Sequence, residues 1–363
     1  MRFKRLLVLV AVFVTFAALL YGAKPPALDI VNQPYVVAVS DELVDTTQFA
    51  KSEPPYTIGF VTIFQANSWA VQFTHELLVE AGRLSDLVAR VIHLDAQGEI
   101  PKQIAAVEDL IAQKVDAIVI DPISPTALQG VLKRAQQAGI PVIACSSQIP
   151  LDQVTAWVGR DDVDFGRKTA EWLVQKLNGK GRIIALSGIA GNPVAENRWK
   201  GAKEVFDKYP EIKILAREFA DWGYAQAKDV VSNLLAAYPE IDGVWSGGGA
   251  MTRGAIDAFI AAGRELPPMV GEANNGFMKQ WYNLKPQGFE SIAFTNPTNH
   301  TAIGLRLALN ALMGYPIPKT VTAVGPYITN DTLEDYVRLD LPDEYWAGNN
   351  LPEEVIKEIF GVK

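Results

Sequence analysis

The sequence is short of the residues on which metal and covalent chemistry depend. It has one cysteine, Cys145, and three scattered histidines, His75, His93 and His300. A single cysteine cannot close an internal disulfide, and so few ligating groups give no zinc constellation. Cys145 lies in the apolar run Ile140–Cys145, which marks it as a buried small hydrophobe rather than a nucleophile. Neither a Gly-x-Ser-x-Gly elbow nor a His-Glu-x-x-His pair occurs, so hydrolase chemistry of those kinds has no signature. Positive charge is also scarce. Lys and Arg number 33 against 41 Asp and Glu, and the resulting net charge of −8 argues against nucleic acid, which calls for a basic stripe.

What is present describes a globular chain of some size. At 363 residues, 49% hydrophobic and 20% charged, it can bury the cores of two ordinary domains. The amino end carries three basic residues in Met1–Arg5, and Leu6–Leu20 is apolar except for Thr15. These are the n- and h-regions of an export signal. Tyr21-Gly22-Ala23 puts a large residue three before the cut, and with it the apolar stretch approaches bilayer-spanning length. A cleaved signal and an uncleaved anchor therefore both stay open for residues 1–23, and either places the body outside the cytoplasm. No cysteine follows the leader, which excludes a lipoprotein anchor. Residues 24–55, with Pro25, Pro26, Pro34, Pro54, Pro55 and an acidic patch at Asp41–Asp45, read as a spacer holding one strand at Tyr35–Val39.

From Tyr56 strands and helices alternate. Tyr56–Ile63 is an apolar, β-branched run expected to be a strand buried on both faces. A polar break at Gln65–Ser68 precedes apolar residues at helical spacing: Trp69, Phe73, Leu77 and Val79. Further strands are expected at Val88–Leu94, Ala117–Ile120, Pro141–Cys145 and Thr155–Val158, with helices at Ile100–Gln113 and Pro125–Ala138. A second series has strands at Arg182–Leu186, Lys213–Glu218, Gly243–Trp245, Met269–Gly271 and Ser291–Phe294. Its helices fit Asp162–Leu177, Val194–Tyr209, Tyr224–Ala237, Thr252–Ala262 and Thr298–Met313. Two βα series imply an α/β chain of two doubly wound, parallel-sheet lobes.

In open α/β sheets ligands sit beyond the carboxyl ends of the strands. In the first series those ends offer Asn67 and Trp69, then Asp121, then Ser146, Ser147 and Gln148. The second offers Gly188–Asn192 before a helix carrying Arg198, then Asp221 and Trp222, Gly247–Gly249, and Glu272–Asn275. Amides, hydroxyls and indoles suit a neutral polyhydroxylated guest, with hydrogen bonds at the rim and flat apolar faces on the rings. The loop after Tyr56–Ile63 has no Gly-rich fingerprint and no Gly-Lys-Ser, so nothing there is built for a nucleotide, and no cofactor is expected. Asp161 and Asp162 fit a helix amino-terminus, where the macrodipole favours acids.

Six patches stand out between about Tyr56 and Val324: IGFVTIFQANSW, DLIAQKVDAIVIDPIS, AQQAGIPVIA, GRDDVDFG, GIAGNPVAENRWKGA and NLLAAYPEIDGVWSGGGAMTRGAI. Through them the chain resembles the type I periplasmic sugar-binding proteins of ABC importers, especially the ribose-binding branch. The resemblance implies two lobes joined by a three-crossover hinge, residues 56–160 with 296–324 and residues 161–295 with 325–363. The crossovers are expected near Arg160–Asp161, Thr295–Pro297 and Val324–Pro326. It further implies a non-catalytic, monomeric receptor for a sugar or polyol that works with a membrane ABC permease. The alternative is a sensor presenting the same closed cleft to a membrane kinase or chemoreceptor.

Carried over residue by residue, the resemblance places ligand contacts at Asn67, Trp69, Asp121, Ser147, Arg198, Trp222, Gly248, Asn274 and Thr295. Asn67 and Asp121 would bond hydroxyls, Arg198 would donate its fork, and Trp69 and Trp222 would sandwich the ring faces. Replacing Arg198 by alanine is expected to weaken binding and leave the fold intact. The ribose-type Asp-Arg pair is here Ser146-Ser147. Gly248 stands for a carboxamide, Ala273 or Asn274 for an acid, and Thr295 for an amide. These departures point away from ribose itself and towards a bulkier or partly water-bridged guest.

Overall fold

Continuous apolar runs become strands because only a sheet covered on both faces can bury every side chain of the run. A computed structural model describes residues 24–51 and 53–362; the leader, and with it the choice between signal and anchor, lies outside the described residues. The first sheet has seven strands, in the order Val36–Val39, Thr320–Ala323, Ala156–Gly159, Val142–Cys145, Ala117–Ile120, Tyr56–Thr62, Val88–Asp95. All pairings are parallel except that of the edge strand Val36–Val39. The second has six, in the order Tyr327–Ile328, Ser291–Phe294, Met269–Glu272, Gly243–Ser246, Gly181–Ser187, Ile212–Phe219. Here too the antiparallel member, Tyr327–Ile328, is at an edge. Helices cover both faces of each sheet, and each lobe carries two apolar clusters, one per face.

The chain passes between the sheets three times: after Ala156–Gly159, after Ser291–Phe294, and between Thr320–Ala323 and Tyr327–Ile328. This is the two-lobe, three-crossover architecture. It has a close helix–helix seam within the second lobe, where Asp162–Lys176 lies against Pro193–Phe206. A Cβ on Gly166 would come within 1.8 Å of the Arg198 carbonyl oxygen, and one on Gly201 within 1.9 Å of that of Val163. Glycine at both positions lets the two backbones touch, which brings Arg198 within reach of Asp162.

Two segments depart from the sequence reading. Residues 24–51 are not a spacer. Val36–Val39 pairs with Thr320–Ala323, Leu43–Val44 pairs with Ile317–Pro318, and Ile30 and Phe49 are buried. The Asn310 side chain holds this segment down, its Oδ1 accepting from the Leu28 N–H at 2.7 Å and its Nδ2 donating to the Leu28 carbonyl at 2.9 Å. The prolines restrict the segment without freeing it, since edge strands tolerate them. The second departure is the helix Asn275–Leu284, with the segment after Tyr327–Ile328 that packs on it.

One buried acid ties the first lobe 1 helix to the second crossover and to the segment after Tyr327–Ile328. Glu76, on the helix Ser68–Arg83, accepts at Oε1 from the Thr298 hydroxyl at 3.0 Å and from the Asn350 N–H at 2.6 Å. Burial pushes its pKa up to about 7, although both bonds pull the other way. A carboxyl raised in the folded state adds stability that is complete below its unfolded value of 4.5 and is lost as pH rises through about 7. His300, pushed down to about 4 by burial, has the opposite sign: its contribution is complete above 6.5 and is lost on acidification. Glu76→Gln keeps the acceptor and removes the titration. The melting temperature of this variant minus that of the wild type is expected to become more positive between about pH 5 and about pH 8, by the equivalent of ~2–3 kcal/mol. Calorimetry at both values checks this, and a difference independent of pH would refute it; His300 is common to both proteins and cancels.

Candidate functional site

The carboxyl ends of both sheets open on one cleft of about 70 Å³. From lobe 1 the helix start supplies Asn67 and Trp69. Asn67 caps that helix, its Oδ1 accepting from the Ala70 N–H at 2.9 Å. Trp69 stacks on Phe73 with ring centroids 4.8 Å apart and donates its indole N–H to the Asn296 carbonyl at 3.1 Å. Capping and facing the cleft are compatible here, because a capping residue stands at the mouth of the strand–helix turn.

Asp121 lies beyond the strand Ala117–Ile120 and is buried. Its Oδ1 accepts from the Ser147 N–H at 3.2 Å, and both residues line the cleft. Burial pushes the Asp121 carboxyl up to about 7; the Ser147 hydrogen bonds lower it and Asp162 raises it.

The opposite wall is built by lobe 2. The Trp222 indole occupies a slot between two backbone stretches: a Cβ on Gly188 would come within 2.0 Å of it, and one on Gly248 within 2.8 Å. Asp221 and Trp222 have φ of 50° and 54°, the left-handed region that non-glycine residues enter at a cost. Two such residues in succession aim the indole into the cleft. Gly248 therefore works through its missing side chain, as the floor of the slot.

Arg198 is 2% exposed, with Nε 2.9 Å from Asp162 and Nη2 2.7 Å from Glu272, and it donates from Nη1 to the Gly247 carbonyl. Arg160, also 2% exposed, completes the group, 3.3 Å from Asp162 and 3.4 Å from Glu272. Its guanidinium lies 4.5 Å from the Phe165 ring centroid and 4.6 Å from that of Phe294. Two cations and two carboxylates thus form a closed, neutral set under the cleft. Burial lowers the Arg198 pKa but Glu272 and Asp162 outweigh it, holding it above its ordinary value; burial and Arg198 bring Arg160 down to about 10. Three of the five Arg198 N–H groups are committed, which leaves two for a guest.

Three expected residues do not line the cleft: Gly248, which lies behind the Trp222 indole, Asn274 and Thr295. Asn274 caps Asn275–Leu284, accepting from the Phe277 N–H at 3.2 Å and donating to the Asp343 carbonyl at 3.1 Å. Thr295 is fully buried and donates to the Pro326 carbonyl at 2.8 Å, joining the second crossover to the third. The cleft takes Asn296 instead, one residue on, and its buried Oδ1 has no hydrogen-bond partner among the described residues. Sequence reading also missed Glu272, Asn192 and Trp346 as lining residues. Glu272 and Asn192 stand at strand ends already singled out; Trp346 lies beyond the extent of the resemblance.

The comparisons agree with this geometry. The family model for the periplasmic binding protein domain matches residues 58–316. The chain is a periplasmic binding protein. It is 31% identical to a xylitol-binding protein of Mycolicibacterium smegmatis over 66% of this chain and 68% of that protein. It is 25% identical to the ribose import binding protein of Bacillus subtilis over 74% of this chain and 85% of that protein. Among solved structures it superposes on the periplasmic binding component of the arabinose ABC transporter from Shewanella sp. ANA-3, bound to L-arabinofuranose. The TM-score is 0.70 at 26% identity, covering 77% of this chain and 93% of that one. Members of the family are substrate-binding proteins and not enzymes.

In this binding protein Arg198 is a structural as well as a lining residue, which corrects the expectation that it can be removed without affecting the fold. Arg198→Ala leaves two buried carboxylates to share Arg160, and breaking a buried pair costs about 3–5 kcal/mol. Urea unfolding is expected to register a loss of that order, with Arg198→Lys intermediate because it keeps the charge and loses the fork. Wild-type stability in the alanine variant would contradict the arrangement.

Proposed function

We propose that the protein is an extracytoplasmic receptor that binds a monosaccharide or related polyol between its lobes and delivers it, unaltered, to a membrane ABC permease. One observation carries the reading. Among the described residues the charged wall groups Arg198 and Glu272 are paired with each other and within the buried set, so the wall offers a guest no unneutralised cation to set against a carboxylate or phosphate. Asp121, the amides of Asn67 and Asn296, and the indoles of Trp69 and Trp222 make up much of the remaining wall. Such a surface accepts hydroxyls and packs on ring faces. The relatives named above are described as binding xylitol, ribose and arabinofuranose, all uncharged and rich in hydroxyls. The leader supports export, and the three-crossover hinge supports closure on the guest.

A thermal-shift screen of pentoses, hexoses, pentitols and cyclitols is the direct test. A guest at a hundred times its Kd adds about 2.7 kcal/mol, a clear rise in melting temperature. A shift with a charged amino acid and none with the neutral panel would sink the reading.

The same cleft predicts a pH dependence. A hydroxyl donated to Asp121 favours the ionised carboxylate, so binding lowers its pKa and releases a proton. Affinity is then expected to rise as pH increases towards about 7 and to level off above it. Titration calorimetry across this range checks the slope, which Asp121→Asn should flatten; an unchanged slope in that variant removes Asp121 from contact with the guest.

A further inference from the structure

The cleft has a third indole, and it comes from beyond residues 58–316. Residues 343–351 form a strap whose attachments to the two lobes differ in kind. Towards lobe 2 Asp343 pairs with Arg253 and Lys279, and from Tyr345 on the attachments are backbone and apolar. The Asn275 N–H donates to the Tyr345 carbonyl at 2.8 Å and the Ala347 N–H to the Ala273 carbonyl at 3.1 Å, while Tyr345, Ala347 and Leu351 enter that lobe's core. Towards lobe 1 the strap is held by polar side chains. Gln72, fully buried, grips one peptide residue from both sides: its Nε2 donates to the Trp346 carbonyl at 3.1 Å and its Oε1 accepts from the Trp346 N–H at 2.8 Å. The Trp346 indole N–H donates to Ser68 Oγ at 2.9 Å, beside Asn67 and Trp69 at the start of the lobe 1 helix. The Trp346 side chain lines the cleft.

A strap rooted in one lobe by its core and held to the other by hydrogen bonds moves with the first and releases the second. Lost packing costs more to recover than exchanged hydrogen bonds, which water replaces. Trp346 therefore arrives at the cleft only when the lobes are together, and its hydrogen bonds to lobe 1 form in the same step. We propose that Trp346 is a specificity-determining wall of the ligand site. The strap delivers it on closure, and the bonds to Gln72 and Ser68 latch the closed form. This inference rests on the sugar or polyol reading of the same cleft. A rigid indole from a third direction limits the guest's size and the ring face it presents, more sharply than two facing plates would.

The test is titration calorimetry of the full chain against the panel of pentoses, hexoses, pentitols and cyclitols. Wild type is compared with Trp346→Ala, Trp346→Phe and Ser68→Ala. Trp346→Ala is expected to lower affinity for the preferred guest roughly ten- to a hundredfold and to change the rank order of the panel, admitting larger members. Trp346→Phe should keep the rank order, because it keeps a ring in place. Ser68→Ala should weaken every guest by a similar few-fold factor, because it loosens the latch without altering the wall. If Trp346→Ala does not fold, Trp346→Leu gives the same readout of rank order. A wild type that binds a guest while both rank order and affinity survive loss of the indole overturns this inference and leaves the proposed function standing. A wild type that binds nothing in the panel overturns both. A lower melting temperature without ligand, with unchanged rank order, would mark Trp346 as packing alone and also refute the proposal.

Discussion

The buried set of Arg160, Asp162, Arg198 and Glu272 is the constraint on which the cleft depends. Removing four charges from water is costly, and the cost is met only where each charge faces an opposite one at close range. The geometry demanded is correspondingly narrow. The first crossover must deliver Arg160 into lobe 2, two helices must touch at Gly166 and Gly201, and Glu272 must end its strand level with both guanidiniums. Once those conditions hold, the Arg198 fork cannot turn, and the two N–H groups it has left keep a fixed direction. For the proposed guest such donors would already be ordered by folding, which lowers the ordering cost of binding. Position in the chain matters as well. Arg160 sits in a crossover yet is packed between Phe165 and Phe294, so the first crossover is anchored in lobe 2.

Much of this was legible in the sequence because it rests on local pattern. The strands Ala117–Ile120 and Ser291–Phe294 and the helix Tyr224–Ala237 have the bounds their apolar spacing suggests. Asn67, Trp69, Asp121, Ser147, Arg198 and Trp222 share one cleft because strand ends in a parallel sheet share one edge. What escaped depends on partners distant in sequence. Val36–Val39 looks like a weak, proline-flanked strand until Thr320–Ala323 is beside it, nearly three hundred residues away. The sequence places Arg198 at the site, but its membership of a buried ion set appears only once Gly166 and Gly201 bring a second helix against it. Thr295 and Asn296 differ by one position, and in a crossover without periodicity nothing local says which side chain turns into the cleft. Gly248 was weighed for the amide it lacks, whereas its role is to leave room for the Trp222 indole.

The lobes contribute different chemistry to the same space. Lobe 1 brings acceptors and the Trp69 indole at a capped helix start, lobe 2 brings the guanidinium and a strained, slotted indole, and the strap brings a third indole. Contacts that span the lobes are mostly single hydrogen bonds between polar groups. The Trp346 indole donates to Ser68, Gln72 bonds the Trp346 peptide groups, and Asn197 Nδ2 donates to Gln148 Oε1 at 2.7 Å. Each is worth about 0.5–1.5 kcal/mol net, because water offers the opened lobes nearly equivalent partners. For the proposed closure, bonds of this kind would hold a closed form within a few kcal/mol of an open one, the range in which a guest's own contacts decide the balance. An apolar interface of similar size would fix the lobes shut or, once opened, leave exposed surface inviting aggregation. Polar interlobe contacts over a rigid, charge-neutral floor therefore serve one requirement: the cleft keeps its shape while its two halves remain free to part.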